Sequence, residues 1–414
     1  MPAKREFDIV VWGATGFTGR LVAEHLADTY GLDGELSWAI GGRNADKLAQ
    51  IGATLERDGA RPEVIVGDAG DVEAMQSLAE RTRVVATTVG PYSLYGNELV
   101  AACARAGTHY CDLAGEVPWV RRMIDAHEQT AAQSGAVIVP SSGFDCIPSD
   151  LGTFYLQQQA LAVFGTPAQR IHMLVRKADG GISGGTATSM LEIAAEAQKS
   201  ARCRRLLLDP YSLNPENTGG DDKNESLMFG LDELSGQWVA PFLMASINTR
   251  VVRRSAALLS PLYGDDFRYS EFISTGTGAG AALKAAAISA AMVSLFTGAA
   301  IPPTRALLRR VLPDPGEGPD ENARKRGGFV IDFVGITEHG DSITARVTGD
   351  RDPGYGATSR MLGETAVALA KRKQRRGGHG GFMTPASAMG DDLIDRLQTN
   401  AGMSFSVKAH SPAG

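Results

Sequence analysis

The chain has 414 residues, more than a single hydrophobic core usually holds, so we expect two or more domains. Hydrophobic residues make up 43% and charged residues 21% of the sequence, as in a soluble globular protein, and the net charge of −6 argues against nucleic acid as a partner. The N-terminal "MPAKREFD" lacks the apolar stretch of a secretory signal, and the four cysteines lack the spacing of a metal site, so we expect a cytoplasmic protein with reduced thiols and no bound metal.

The first 150 residues alternate between short apolar segments and amphipathic ones. Continuous apolar or β-branched runs are typical of parallel strands that are buried on both faces. The segments between the runs have helical spacing, with Asn44 and Gly59 as typical start and stop residues. This alternation predicts an α/β fold with an N-terminal Rossmann-type doubly wound parallel sheet. The predicted strands cover residues 8–12, 36–41, 63–68, 83–89, 109–114 and 136–141.

The first predicted strand leads into "VWGATGFTGR" (residues 11–20), in which three glycines stand three residues apart. Gly13 permits a tight turn, the region of Gly16 lets backbone N–H groups approach a pyrophosphate, and Gly19 lets helix and strand pack closely. Because the motif follows the first strand and opens a helix, it favours dinucleotide binding over a plain structural turn. The expected cofactor loop comprises Gly13, Ala14, Thr15, Gly16, Phe17, Thr18 and Gly19.

The end of the second predicted strand indicates which dinucleotide binds. An acidic residue there would bind the ribose 2′-hydroxyl of NAD, whereas an arginine accommodates the 2′-phosphate of NADP. In "AIGGRNADKL", Arg43 and Asn44 follow two glycines, and no carboxylate appears before Asp46. We therefore predict NADP(H) as the cofactor, the alternative being that Arg43 is a solvated loop residue.

Two later strand ends complete the predicted cofactor site. Asp68 in "VGDAGD" either contacts the adenine edge or only caps the next helix, and the sequence leaves both open. In "TTVGPYSLYG" (residues 87–96), we expect Gly90 and Pro91 beneath the nicotinamide half, because ligands bind beyond the carboxyl ends of parallel strands. Tyr92 and Tyr95 are then expected to face the same crevice.

Five segments together resemble the saccharopine dehydrogenase-like oxidoreductases, namely "VVWGATGFTGR", "AIGGRNADKL", "TTVGPYSLYG", "YCDLAGE" and "PSSGFDCIPSDLG". They are most similar to the branch that includes the trans-acting enoyl reductases of mycobacterial phenolic glycolipid and phthiocerol lipid assembly. The resemblance is strong up to residue 155, and the later "GYGATSRMLGETAVAL" also matches the branch. It implies NADP(H), a second α+β domain and an unsaturated acyl substrate, but no catalytic residue.

The rest of the chain has a different pattern, which predicts a second domain of mixed α+β type. Residues 329–349 alternate between apolar and polar side chains around His339 and Gly340, which predicts a β-hairpin. The polar residues 209–226 predict a mobile surface loop. We divide the chain into an NADP(H)-binding domain at residues 1–155, an α+β substrate and oligomerisation domain at 156–350, and C-terminal helices at 351–414 that return to the first domain.

The segment 281–303 is the most unusual, because the chain carries no charge from Ala285 to Thr304. It is interpreted as a buried or interface helix, as a monotopic membrane-facing or acyl-binding element, or as a transmembrane span. The basic segment "KRKQRRGGHGG" (371–381) is either a solvated helix end or a site for lipid phosphate. We expect a homodimer, with peripheral contact to the inner face of the plasma membrane left open.

Reduction of an enoyl thioester requires particular side chains near the substrate. When hydride from NADPH adds to Cβ of an enoyl thioester, a proton must reach Cα, and a hydrogen-bond donor near the thioester oxygen stabilises the developing charge. We select Tyr95 as the proton donor, with Tyr92 and Asp145 as further catalytic candidates and water as an alternative donor. The full set of polar side chains at the strand ends is Tyr92, Tyr95, Asp112, Glu116, Ser142, Asp145 and Cys146.

Two other functions remain open at this stage. A saccharopine-type amino-acid dehydrogenase would reduce an imine whose carboxylates need a cluster of arginines, such as Arg202, Arg204 and Arg205. In the segment "ARCRRL", however, these arginines also have the pattern of a solvated helix face. The other alternative is a non-catalytic, lipid-associated protein that binds NADP(H).

Overall fold

The computed structural model of the chain describes residues 5–180, 183–311, 318, 320–372 and 380–411. Within these residues the strands are β1 (Phe7–Trp12), β2 (Trp38–Gly42), β3 (Glu63–Val66), β4 (Thr82–Thr87), β5 (His109–Cys111), β6 (Val137–Val139), β7 (Ala168–Ala178), β8 (Gly230–Leu231), β9 (Trp238–Pro241), β10 (Arg268–Gly276), β11 (Phe329–Thr337), β12 (Ser342–Gly349), β13 (Gly381–Phe382) and β14 (Met403–Ser411). Most of the basic segment 371–381 lies outside the described residues.

The helices alternate with the strands in the first part of the chain. They are α1 (Phe17–Tyr30), α2 (Ala45–Thr54), α3 (Val72–Arg81), α4 (Tyr92–Tyr95), α5 (Asn97–Ala106), α6 (Val117–Ser134), α7 (Ile147–Phe164), α8 (Gly184–Lys199), α9 (Ala201–Leu208), α10 (Ala245–Leu258), α11 (Ser260–Tyr263), α12 (Ala279–Ala300), α13 (Pro302–Val311), α14 (Glu321–Arg326), α15 (Thr358–Lys371), α16 (Pro385–Ala388) and α17 (Asp391–Asn400). A π-helical turn, Pro353–Ala357, precedes α15.

The first sheet is a doubly wound parallel sheet. Its seven strands follow the order β13–β6–β5–β4–β1–β2–β3, and neighbouring strands run parallel throughout. Successive side chains of β1 point to opposite faces. Ile9 and Val11 pack with residues of α1, α2 and α15, whereas Val10 and Trp12 pack with residues of α3, α5 and α6. The predicted Rossmann-type architecture is therefore confirmed.

The second sheet is mixed and forms the core of the other domain. It follows the order β14–β12–β11–β7–β10–β9–β8, with β7 and β10 parallel and the remaining pairs antiparallel. The predicted hairpin is present as β11 and β12, and Gly340 in its turn has φ +90°. Helix α7 lies close against this sheet, since a Cβ on Gly152 would be 2.3 Å from the ring of Phe333. The predicted second α+β domain is thus confirmed.

The C-terminal segment contributes to both sheets. Helix α15 packs against α1 and the parallel sheet, where buried Glu364 lies 2.8 Å from the imidazole of His25. Strand β13 then extends the parallel sheet beside β6, whereas β14 pairs with β12 in the mixed sheet. The segment from 351 onward therefore joins the two halves of the molecule.

The polar segment 209–226 is held by three buried arginines of α10. Arg250 donates to the carbonyl of Asp209, Arg253 forms an ion pair with Asp222 at 2.7 Å, and Arg254 donates to the carbonyl of Leu213. The loop, which the sequence predicts to be mobile, is thereby fixed against the second domain, because buried guanidinium groups require these partners.

Candidate functional site

A single cavity of about 1050 Å³ joins the predicted cofactor site to the second domain. It begins at the carboxyl ends of the parallel strands, where the connecting loops of a doubly wound sheet form a crevice. From there it continues between α8, α10 and α12. The cavity therefore has two arms. The cofactor arm lies at the carboxyl ends of the parallel strands, and the other arm lies in the second domain between α8, α10 and α12.

The glycine loop is shaped for close approach of an anion. Gly13 has φ +92°, and a Cβ there would lie 2.7 Å from Val89 Cγ2. A Cβ on Gly19 would lie 2.2 Å from the carbonyl oxygen of Gly13, so both positions exclude a side chain. Helix α1 begins after Gly16 with no side-chain cap, so its first N–H groups are available to a ligand. This cradle fits the pyrophosphate of a dinucleotide.

The structure brings nine of the twelve predicted cofactor residues to the cavity. They are Gly13, Thr15, Gly16, Phe17, Thr18, Arg43, Asp68, Gly90 and Pro91.

The other three predicted cofactor residues do not line the cavity. Ala14 is fully buried beneath the loop, and Gly19 faces the backbone of Gly13. Asn44 is the N-cap of α2, because its side chain accepts a hydrogen bond from the backbone N–H of Lys47 at 2.9 Å. These three residues support the loop and the start of α2, and they do not face the cavity.

Asp68 does not cap the next helix. That position is held by Asp71, whose side chain accepts from the N–H groups of Glu73 and Ala74 at the start of α3. Asp68 instead accepts from the N–H of Gly70 at 2.8 Å and lines the cavity. Of the two interpretations of Asp68, contact with the ligand is the one that this placement allows.

The two tyrosines after Pro91 occupy different environments. The Tyr92 hydroxyl donates to the carbonyl of Thr87 at 3.2 Å and accepts from the N–H of Leu113 at 3.0 Å. Burial raises the pKa of Tyr92 well above its usual value, so the phenol stays protonated. Its two hydrogen bonds connect the end of β4 to the loop after β5. Both tyrosines line the cavity, as expected, but Tyr92 is buried whereas Tyr95 is 44% exposed. The Gly90–Pro91 peptide bond that precedes both is cis.

Asp145 is a partly buried carboxyl group of the cavity wall. It lies between β6 and α7, and burial raises its pKa to about 6. Within the described part of the chain, no hydrogen-bond donor reaches its carboxylate. Asp145 can therefore carry a proton near neutral pH and present it to the cavity.

The remaining polar candidates have structural partners. Asp112 is fully buried and accepts from the N–H groups of Ala114 and Ser141, at 2.9 and 2.8 Å, and burial raises its pKa to about 6. The hydroxyl of Ser142 donates to a backbone carbonyl of β6, and the thiol of Cys146 donates to an amide side chain of α10. These groups hold the loops after β5 and β6 in place.

Glu116 joins the cofactor side of the cavity to the second domain. Its buried carboxylate accepts from the N–H groups of Tyr92 and Ser93, at 2.7 and 2.9 Å, and so caps the start of α4. The same carboxylate accepts from the hydroxyl of Ser189 on α8 at 3.0 Å. A cap supplied from 24 residues away has no local sequence signal, so this role could not be predicted.

The arm in the second domain is lined mainly by apolar side chains, together with the hydroxyl groups of Ser183, Thr186, Thr188, Ser189 and Ser246. Charged side chains contribute only Arg43, Asp68 and Asp145 to the described cavity wall, and all three precede the second domain. Arg202, Arg204 and Arg205 do not line the cavity. The apolar arm is formed by Met190, Ile193 and Ala194 of α8, Leu207 of α9, Phe242, Leu243, Met244 and Ile247 around the start of α10, and Met292, Leu295, Phe296 and Ala299 of α12.

Comparison with known proteins assigns the cofactor. Residues 9–139 match the family model of the saccharopine dehydrogenase NADP binding domain. This match and the fitted glycine loop agree, so the protein is an oxidoreductase that uses NADP(H).

Similarity to curated relatives extends over nearly the whole chain. A Mycobacterium tuberculosis protein with the provisional name of trans-acting enoyl reductase is 41% identical over 411 residues, which cover 97% of each chain. A trans-acting enoyl reductase of Mycobacterium bovis is 37% identical over 407 residues, or 96% of each chain. Among solved structures, apo saccharopine dehydrogenase (L-Glu forming) from Saccharomyces cerevisiae has a TM-score of 0.51 at 12% identity, with 97% of this chain and 100% of that one covered. That structure supports the fold alone.

Proposed function

Because the chain belongs to the saccharopine dehydrogenase-like oxidoreductases, in the branch of the trans-acting enoyl reductases, we propose that it reduces the carbon–carbon double bond of an enoyl group on an apolar acyl chain. The apolar arm of the cavity carries this proposal. Twelve apolar residues line it, and the described wall of the arm contains no charged side chain. An acyl chain in this arm would be removed from water, which stabilises the complex by ~0.8 kcal/mol per methylene.

The cofactor arm of the cavity fits NADPH. Its pyrophosphate would lie at the glycine loop and the start of α1, its 2′-phosphate beside Arg43, and its nicotinamide half near Gly90 and Pro91. When bound, NADPH supplies the hydride that the substrate accepts at Cβ. The protein's own contribution is to exclude water, to orient the two reactants and to deliver a proton to Cα.

Two cavity-lining acids are available for the proton and for the substrate oxygen. We propose that the carboxyl of Asp145 protonates Cα, in place of the Tyr95 hydroxyl that the sequence analysis selected, and that the Tyr95 hydroxyl donates a hydrogen bond to the thioester oxygen. The raised pKa of Asp145, about 6, supports the first role, since an effective general acid has a pKa near the working pH. The exposure of Tyr95 to the cavity supports the second. The Tyr92 hydroxyl already makes two hydrogen bonds and takes no part in this scheme.

The same cavity does not favour an imine bearing several carboxylates. Such a substrate needs cations in the second domain, and no arginine or lysine of that domain contributes to the described wall. A non-catalytic, lipid-associated NADP(H)-binding protein would show cofactor binding without turnover.

The test is NADPH consumption by the purified protein with a long-chain enoyl thioester and, in parallel, with a 2-oxoacid plus an amino acid. We expect oxidation of NADPH only with the enoyl thioester, and a saturated acyl product by mass spectrometry. Turnover with the imine-forming pair alone, or NADPH binding without any turnover, would contradict the proposal.

The expected homodimer and cytoplasmic location stay proposals. Light scattering of the purified protein measures the first, and fractionation of the source cells measures the second.

A further inference from the structure

The outer face of α12 and the whole of α13 form an exposed surface of aliphatic and basic side chains, here called the α12–α13 surface. Helix α13 has no buried residue. Five large aliphatic side chains on the surface are between 41% and 74% exposed. They are Leu283, Val293, Ile301, Leu307 and Val311. Clustered exposure of this kind marks an interaction surface rather than the scattered apolar residues of an ordinary exterior.

Helix α12 does not leave the protein, although it is the one helix of the described residues with the length and composition of a membrane span. Ala281, Ala285, Ser289 and Ala299 form a buried stripe along it, and the helix contacts α8, β9 and β10. Because this stripe packs against the rest of the protein, only the outer face of α12 is available to a partner. In this packing the helix lies against the protein along one side and is exposed along the other.

The charge of this part of the chain is complementary to an anionic surface. From Phe272 to Val311 the sequence contains no Asp or Glu but has Lys284, Arg305, Arg309 and Arg310, in a protein with a net charge of −6. Arg309 is paired with Glu192 of α8, at 2.6 Å, which fixes α13 beside α8. Exposed aliphatic side chains on helices that carry Lys284, Arg305 and Arg310 and no acidic residue of their own are the pattern of an interfacial membrane element.

The α12–α13 surface and the apolar arm of the cavity share helix α12. Met292, Leu295 and Phe296 of α12 line the arm, whereas Val293, on the same turns, faces outward. On α9, Leu207 lines the arm and the next residue, Leu208, is 69% exposed. An acyl chain in a bilayer beside α12 would thus lie next to helices that line the arm.

We infer that the α12–α13 surface docks on the anionic surface of a phospholipid bilayer and that the acyl substrate enters the cavity from it. This inference extends the proposed function, since it takes the occupant of the arm to be an acyl chain. Exposed aliphatic side chains enter the headgroup region, and the cations neutralise lipid phosphates. Docking itself requires no turnover, so it can be measured separately from the reaction.

The experiment is co-sedimentation of the full chain with vesicles of phosphatidylcholine alone or with added phosphatidylglycerol. We expect binding to the anionic vesicles only, and release by high salt. Leu307→Asp and Arg310→Glu should each weaken binding at least tenfold. Val163→Asp is the matched control, because Val163 is 44% exposed on α7, outside the α12–α13 surface, and it should leave binding unchanged.

Unchanged NADPH affinity in all three variants shows that they are folded. Failure of the wild-type protein to bind anionic vesicles, or equal binding by all variants, overturns the docking inference. Loss of a concentration-dependent dimer in Leu307→Asp, without vesicle binding by the wild type, would assign the surface to a second copy of the chain. Turnover of a short, soluble enoyl thioester reports on the proposed function independently of these results.

Discussion

At the scale of single residues, the charged groups of the cavity have separable roles. Arg43 and Asp68 lie at the cofactor end, and Asp145 lies on the loop between β6 and α7. Because the described wall contains no further charged side chain, the effect of substituting each of these residues can be measured without compensation by a neighbouring charge in the wall.

Arg43 should determine the choice between the two nicotinamide cofactors. We expect Arg43→Ala to weaken NADPH binding by ~1–3 kcal/mol, the range for a charge-assisted hydrogen bond, and to leave NADH binding unchanged. Lys47→Ala is the matched control, since Lys47 is exposed one helical turn away and does not line the cavity. Titration by cofactor fluorescence measures the affinity of each variant for NADPH and for NADH. Equal affinity of the wild-type protein for NADPH and NADH would remove the role assigned to Arg43.

Asp145 should couple activity and stability to pH. Burial raises its pKa to about 6, so the protonated donor is lost as the pH rises through that value, and kcat should fall with it. Asp145→Asn should lower kcat by ~10²–10⁴-fold and abolish this pH dependence.

The same raised pKa has a consequence for stability. A carboxyl whose pKa is higher in the folded state stabilises that state at low pH and loses this contribution as the pH rises through the folded pKa. Asp145→Asn should therefore raise the free energy of unfolding by roughly 1–3 kcal/mol near neutral pH and by much less near pH 4. Denaturant unfolding at the two pH values measures this. An unfolding free energy that is lower in the variant at neutral pH would show that the carboxylate is paired.

At the scale of helices and strands, Glu116 connects α4 and α8 through one buried carboxylate. In Glu116→Gln, either orientation of the amide would place its nitrogen against the backbone N–H of Tyr92 or Ser93, so at least one hydrogen bond is lost. We expect the free energy of unfolding to fall by ~1–3 kcal/mol, the cost of an unpaired buried donor. The change should also raise KM for the acyl substrate, because α8 lines the arm.

Ser189→Ala isolates the link between the two domains. It removes the hydrogen bond to α8 but leaves both bonds to α4, so the unfolding free energy should change by ~1 kcal/mol or less. Denaturant unfolding and steady-state kinetics of both variants provide the comparison. A larger loss of stability in Ser189→Ala than in Glu116→Gln would contradict the role of Glu116 as the cap of α4.

At the scale of the whole molecule, the parts that could be predicted are those encoded locally. The apolar runs of the parallel sheet, the glycine loop and the hairpin around Gly340 each have a pattern within a few residues, and the structure contains all of them. Strand β5 ends earlier than predicted, because Asp112 accepts backbone N–H groups and turns the chain.

The parts that could not be predicted depend on residues far apart in the sequence. The apolar arm combines α8, α10 and α12, whose facing residues have no shared motif. The loop at 209–226 is held by arginines of α10, and the structural role of Tyr92 depends on a tertiary hydrogen bond with Leu113. Local pattern indicates which elements form, whereas packing decides which of their side chains reach the cavity.

The most direct test of the account is the dependence of kcat/KM on acyl chain length in a series of detergent-free, soluble enoyl thioesters with NADPH. We predict that kcat/KM rises with each added two-carbon unit, by up to ~1.6 kcal/mol in transition-state binding, until the arm is full. Leu295→Asp, inside the arm, should flatten this dependence without changing NADPH affinity, whereas Val293→Asp, on the outer face of the same helix, should preserve it. Equal kcat/KM for short and long substrates, or equal effects of the two substitutions, would contradict the assignment of the arm to an acyl chain.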